Sequence, residues 1–141
     1  MILFCTDFSP CADHAFTHAL RIATLSPDTE LHILHVIPEP PAQFWKTYLY
    51  DMDTDVDTQA KREIDAKFAA SYLPRIPETL PHKLVVRIGD ASQQILSYAA
   101  ETHPSLIVMG RQGSSRLFGN TASLLARKSP SPLLLVPPPA T

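Results

Sequence analysis

Residues 109–121 read Met-Gly-Arg-Gln-Gly-Ser-Ser-Arg-Leu-Phe-Gly-Asn-Thr. Their types and spacing suit the binding of an anion. Glycine lets a backbone come close to a ligand and take positive φ, and Gly110, Gly113 and Gly119 punctuate this stretch. Arg111 and Arg116 add positive charge. A helix expected over residues 120–128 presents the N–H groups of Asn120, Thr121 and Ala122 at its start, a natural seat for a phosphate. No Gly-Lys-Ser/Thr is present, so the cradle is not of the Walker type.

Elements with a clear order must position this loop. Residues 1–5 (MILFC) form a short apolar run, as in a strand buried on both faces. Ser9 and Pro10 supply an N-cap and a first helical residue. Ala15, Phe16, Ala19, Leu20, Ile22 and Ala23 then mark one face of a helix that runs to about Leu25. Further strands are expected at residues 30–37, 83–88, 105–109 and 132–136. Further helices are expected at about 57–72, from the Gly89-Asp90 turn to about Thr102, and at 120–128. Asp90 and Gln93 have capping-box spacing.

This alternation predicts an α/β fold: an open, mostly parallel five-stranded sheet, doubly wound, with helices on both faces. Ligands of such sheets bind beyond the carboxyl ends of strands, where the strand order reverses. The candidate site therefore uses the ends of strands one, two and four: Cys5 to Phe8, including Thr6 and Asp7, then Val36, and Met109 onward. Asp7 either contacts a ligand there or caps N–H groups of the turn.

Other clusters carry weaker chemistry. His14 and His18 stand four apart on a helix but lack a third ligand, and solvated histidines explain them. His32 and His35, three apart on a strand, point to opposite faces. Asp51, Asp53, Asp55 and Asp57 alternate, yet Val56 and Arg62 stand where a calcium loop needs Gly and Glu. Cys5 reads as buried packing, and Cys11 sits in a first helical turn without a C-x-x-C partner. Phe44, Trp45, Tyr48, Leu49 and Tyr50 form an aromatic patch that suits a flap, a partner contact or a core satellite.

The chain has 141 residues, and residues 1–141 are read as one domain. A net charge of −2 argues against a nucleic-acid binder. No signal peptide or membrane-spanning run is read, so a cytoplasmic address without a membrane partner is expected. The 14 prolines cluster where elements break and in the C-terminal tail.

LIVMG, a glycine loop, a helix and PLLLV in succession resemble the C-terminal signature of universal stress proteins. ILFCTDFSPCADHAFTHALRIA resembles that family's first strand, Asp-containing turn and first helix, and LHILHVIPEP its second strand. The likeness spans nearly all of the chain outside residues 42–81. It implies the adenine-nucleotide α-hydrolase-like fold, with a regulatory role in stress response or signalling. The ligand implied is ATP, ADP or AMP, with Mg2+ if a triphosphate is bound.

By this resemblance Asp7 and the backbone of Val36 are adenine contacts, and Cys5 stands where the family has proline. Met109, Gly110, Gly113 and Gly119 carry over as backbone and shape contacts, with Asn120 and Thr121 after them, and Arg111 adds its charge to the same loop. Nucleotide-binding members carry G-x-x-G, nine residues, then Gly-Ser or Gly-Thr. Here Gly110 and Gly113 keep the first part, but five residues precede Gly119 and Asn120 replaces the hydroxyl residue. A shorter loop wraps fewer phosphates, so altered or weaker binding is expected. The alternative is a stress-response dimer that binds no nucleotide and acts as a protein-interaction module. The strand Pro132 to Val136 is expected at a sheet edge, and a homodimer through it is favoured. No activated nucleophile with an adjacent base is present, so at most weak ATP hydrolysis is expected.

Overall fold

The computed structural model describes residues 1–38, 56–111 and 116–139. Its strands are β1 (Ile2–Cys5), β2 (Leu31–Ile37), β3 (His82–Ile88), β4 (Leu106–Gly110) and β5 (Leu133–Val136). Its helices are α1 (Pro10–Leu25), α2 (Val56–Ser71), α3 (Ala91–Thr102) and α4 (Arg116–Lys128), with a 3-10 turn at Leu73–Arg75. The strands lie in the order β3-β2-β1-β4-β5, and every pair is parallel. The apolar run at residues 1–5, read as a doubly buried strand, is so: β1 is buried along its whole length.

Side-chain alternation splits the core in two. Ile2, Phe4, Leu31 and Ile33 pack toward α1, Phe68 of α2 and Tyr72 just after it. Leu3, Cys5, Leu34, Ile107 and Met109 pack toward α3 and α4. The chain winds outward from β1 to β3, then returns to build β4 and β5 on the other side. That reversal puts the helices of the two halves on opposite faces.

The caps act locally as their residue types predict. Ser9 Oγ accepts the Ala12 N–H at 3.2 Å, with Pro10 in the first turn of α1. Asp90 accepts from Gln93 N–H at 3.0 Å and from Ser92 Oγ at 2.6 Å.

The start of α4 differs from the sequence reading. It begins at Arg116 rather than Asn120, so Asn120, Thr121 and Ala122 already lie past its first turn. Their amides are spent on the helix's own i→i−4 ladder. The first-turn amides not used in that ladder belong to residues 116–118. Gly119 is the physical reason for the difference. One glycine inside a helix costs only about 1 kcal/mol, which packing of the rest of α4 overrides. Leu125 of α4 is wholly buried and Ala122 nearly so.

Candidate functional site

A narrow crevice opens at the carboxyl ends of β1 and β2. Cys5, Thr6, Asp7, Leu34, Val36, Ala91 and Ile95 line it, and it encloses about 40 Å3. Four residues singled out in the sequence, Cys5, Thr6, Asp7 and Val36, therefore meet at one place. Leu34, Ala91 and Ile95 were missed. The signal for the last two was the Asp90 cap, which begins α3 directly after β3 and so brings its first turn to the same end of the sheet.

The remaining expected residues lie around β4 and α4. Met109 is buried within the sheet, paired with Cys5. Gly110 ends β4, and Arg111 follows it, exposed, with its N–H bonded to Val136 C=O at 2.7 Å. Asn120 is exposed on α4, whereas Thr121 is buried. Gly119 falls inside α4, and Gly113 lies outside the described residues. The Phe44 to Tyr50 patch and Asp51, Asp53 and Asp55 also lie outside them.

Gly110 has a structural reason to be glycine. A Cβ there would stand 2.9 Å from Cys11 Sγ and 3.3 Å from Ala12 N. The first turn of α1 thus demands the small residue, whatever a ligand requires. Cys11 is buried and its Sγ–H points to Val136 C=O at 3.5 Å, so it serves packing between α1 and β5. Burial pushes the Cys5 thiol up, which leaves it an uncharged packing group.

The turn that carries Asp7 is held tightly. Asp7 Oδ1 accepts the Ser9 N–H at 3.0 Å, so the capping role is real, and Asp7 also lines the crevice. Phe8 takes φ of 60°, the left-handed region, where an L-residue costs roughly 1–2 kcal/mol. Its N–H donates to Thr6 Oγ1 at 2.9 Å, and its ring stacks on Tyr72 at 5.5 Å. Thr6 Oγ1 lies 2.6 Å from the Tyr72 hydroxyl. Burial, ahead of the opposing Thr6 bond, leaves the Tyr72 phenol pushed up to about 12.

His35 sits against the same turn. Its Nδ1 is 2.8 Å from Thr6 C=O. A carbonyl only accepts, so Nδ1 carries the proton. Burial first, then the Lys67 ammonium, lower its pKa below the usual 6.5; the Thr6 carbonyl and Asp7 act the other way. The unfolded chain therefore binds more protons in acid, and stability rises with pH. The His35 contribution is complete above about 6.5 and is lost as pH falls through the folded value. In urea titrations, the stability gap between wild type and His35→Gln is expected to shrink from pH 7.5 to pH 5. A gap that widens in acid would contradict this environment.

The two α1 histidines make an edge-to-face ring contact at 5.2 Å. Among the described residues, no group of three or more His, Cys, Asp or Glu is placed to hold a metal ion. No helix among them is long and apolar enough to cross a membrane.

Comparison with known proteins places this geometry in context. The model of the universal stress protein family matches residues 1–137. A search of curated proteins finds no match. Among solved structures, the universal stress protein UspA from Lactobacillus plantarum is 25% identical, with a TM-score of 0.65, over 96% of this chain and 95% of that one. A universal stress protein in complex with cAMP is 23% identical, with a TM-score of 0.63, over 98% and 97%. A family protein from Arabidopsis thaliana with AMP bound is 15% identical, with a TM-score of 0.64, over 99% and 92%.

Proposed function

The chain belongs to the universal stress protein family, and on that premise we propose that it is a cytoplasmic regulatory protein that binds an adenine nucleotide at the carboxyl ends of its strands. The observation that carries the reading is the crevice where Cys5, Thr6, Asp7 and Val36 meet. Asp7 offers a carboxylate to an exocyclic amino group, and Val36 offers backbone at the end of β2. Exposed Arg111, after β4, supplies a cation toward the phosphate side. The family resemblance assigns Gly113, Gly119, Asn120 and Thr121 to the same side, and the first-turn amides of α4 left for an anion are those of residues 116–118. Two of the structural relatives carry cAMP or AMP, which supports an adenine ligand.

The crevice is small beside ordinary ligand pockets of roughly 300–1,000 Å3. A nucleotide would seat its base edge in the slot and lie along the mouth toward β4 and α4. Should a triphosphate bind, Mg2+ would accompany its phosphates. The same small slot favours a second reading, a stress-response module that works by protein contact without nucleotide. In both readings β5, which ends the sheet order, offers its open edge to a second copy of the chain.

The test is mass spectrometry of small molecules released from purified protein, with thermal melts in ATP, ADP and AMP. A micromolar ligand at millimolar concentration stabilises by about 4 kcal/mol, which raises the melting temperature by roughly 10 °C for a domain of this size. A released nucleotide or such a shift is expected. Neither, under saturating nucleotide, leaves the interaction module as the function.

A further inference from the structure

The Asp7 turn is gripped from the face of the sheet opposite the crevice. Thr6 is the pivot. Its hydroxyl takes the Phe8 N–H at 2.9 Å and meets the Tyr72 hydroxyl at 2.6 Å. Its carbonyl is tied to His35 Nδ1 at 2.8 Å. Phe8 is then pinned in its left-handed conformation. Its ring contacts Tyr72, stacked at 17° between planes, and His35 at 5.0 Å, with Lys67 Nζ 5.6 Å from the ring centroid. Asp7 sits between these two clamped residues and lines the crevice on the other side. An unusual backbone held by several independent contacts marks a position the fold over-determines.

We propose that Tyr72 is a positioning residue: from the end of α2 it locks Thr6 and Phe8, and so fixes the direction in which Asp7 meets a nucleotide. The importance of that direction rests on the nucleotide reading above; the lock itself does not. Tyr72 follows α2 directly and is 66 positions from Thr6, so the hydroxyl bond couples the first strand's end to the α2 segment. A ligand that needs the turn in this shape gains from a protein already holding it there.

A matched control exists. Tyr98 also donates or accepts one buried bond of 2.6 Å, to His32 Nδ1, but from α3 on the other face. Tyr72→Phe and Tyr98→Phe therefore remove the same chemistry at two places. The readouts are amide hydrogen exchange at Phe8 and Ser9, and affinity for ATP and AMP. In Tyr72→Phe the two amides are expected to exchange about tenfold faster, and affinity to fall about tenfold. Tyr98→Phe is expected to leave both near wild type. Equal acceleration in the two variants, or none in Tyr72→Phe, overturns the proposal. Accelerated exchange in Tyr72→Phe alone, with no nucleotide binding even in wild type, upholds the lock and sinks the nucleotide reading.

Discussion

Phe4→Ala is expected to destabilise the chain by about 3–5 kcal/mol, a large part of the 5–15 kcal/mol typical of a domain. Phe4 is fully buried within a four-residue strand that is buried along its whole length. Its ring stands 5.2 Å from Phe16 of α1 and 5.5 Å, edge-on, from Tyr72. Phe16 and Tyr72 in turn contact each other at 4.5 Å. Truncation leaves a hole between the sheet and two helices whose rings have no room to collapse independently, because each also packs on the others. The melting temperature is expected to fall by roughly 10 °C. Phe4→Leu, which keeps most of the volume, should cost clearly less. A loss below about 1 kcal/mol for Phe4→Ala would mean that the three rings do not form one packed unit.

Much of this fold was legible because its signals are local. Continuous apolar runs at residues 2–5 and 106–109 announce strands buried on both faces, and Ser9-Pro10 and Asp90 announce helix starts. Their alternation then dictates a parallel sheet and brings Cys5 to Asp7 and Val36 to one end of it, where the crevice opens. What escaped has a different physics. The start of α4 at Arg116 rather than Asn120 has no local signal, because packing that only the tertiary structure reveals carries the helix through Gly119. The left-handed Phe8 carries no compositional cue, since glycine and asparagine are the residues that usually mark such a turn. The Thr6–Tyr72 bond and the pairing of His35 with Thr6 join residues far apart in sequence, and spacing says nothing of them.

Gly110 shows how a motif residue serves two masters. Read along the chain, it is the first glycine of an anion loop. In the fold, α1 approaches so closely that no side chain fits, with Cys11 backbone carbon 3.2 Å from where a Cβ would stand. Its presence is therefore weak support for a phosphate site. Asp7 differs, because its carboxylate both accepts the Ser9 N–H and lines the crevice. The weight of the functional argument accordingly rests on Asp7.

Asp7→Asn separates the two roles of that residue. Asparagine keeps the turn: its carbonyl oxygen can accept the Ser9 N–H that Asp7 Oδ1 accepts now, and Asn and Asp are both favoured in such turns. Folding stability is expected to stay within about 0.5 kcal/mol of wild type. The other oxygen, however, becomes an NH2 group, a donor in place of a charged acceptor. If Asp7 receives the adenine amino group, two donors then face each other. Losing a hydrogen bond to a charged group is worth about 1.5–3 kcal/mol, so AMP affinity is expected to fall roughly 100-fold. IMP, which presents a carbonyl at the same position, should gain on AMP in the variant. Titration calorimetry with both nucleotides reads the two numbers directly. Unchanged AMP affinity with unchanged stability would confine Asp7 to capping Ser9. Reversed preference between AMP and IMP would identify the carboxylate as the group that reads the base.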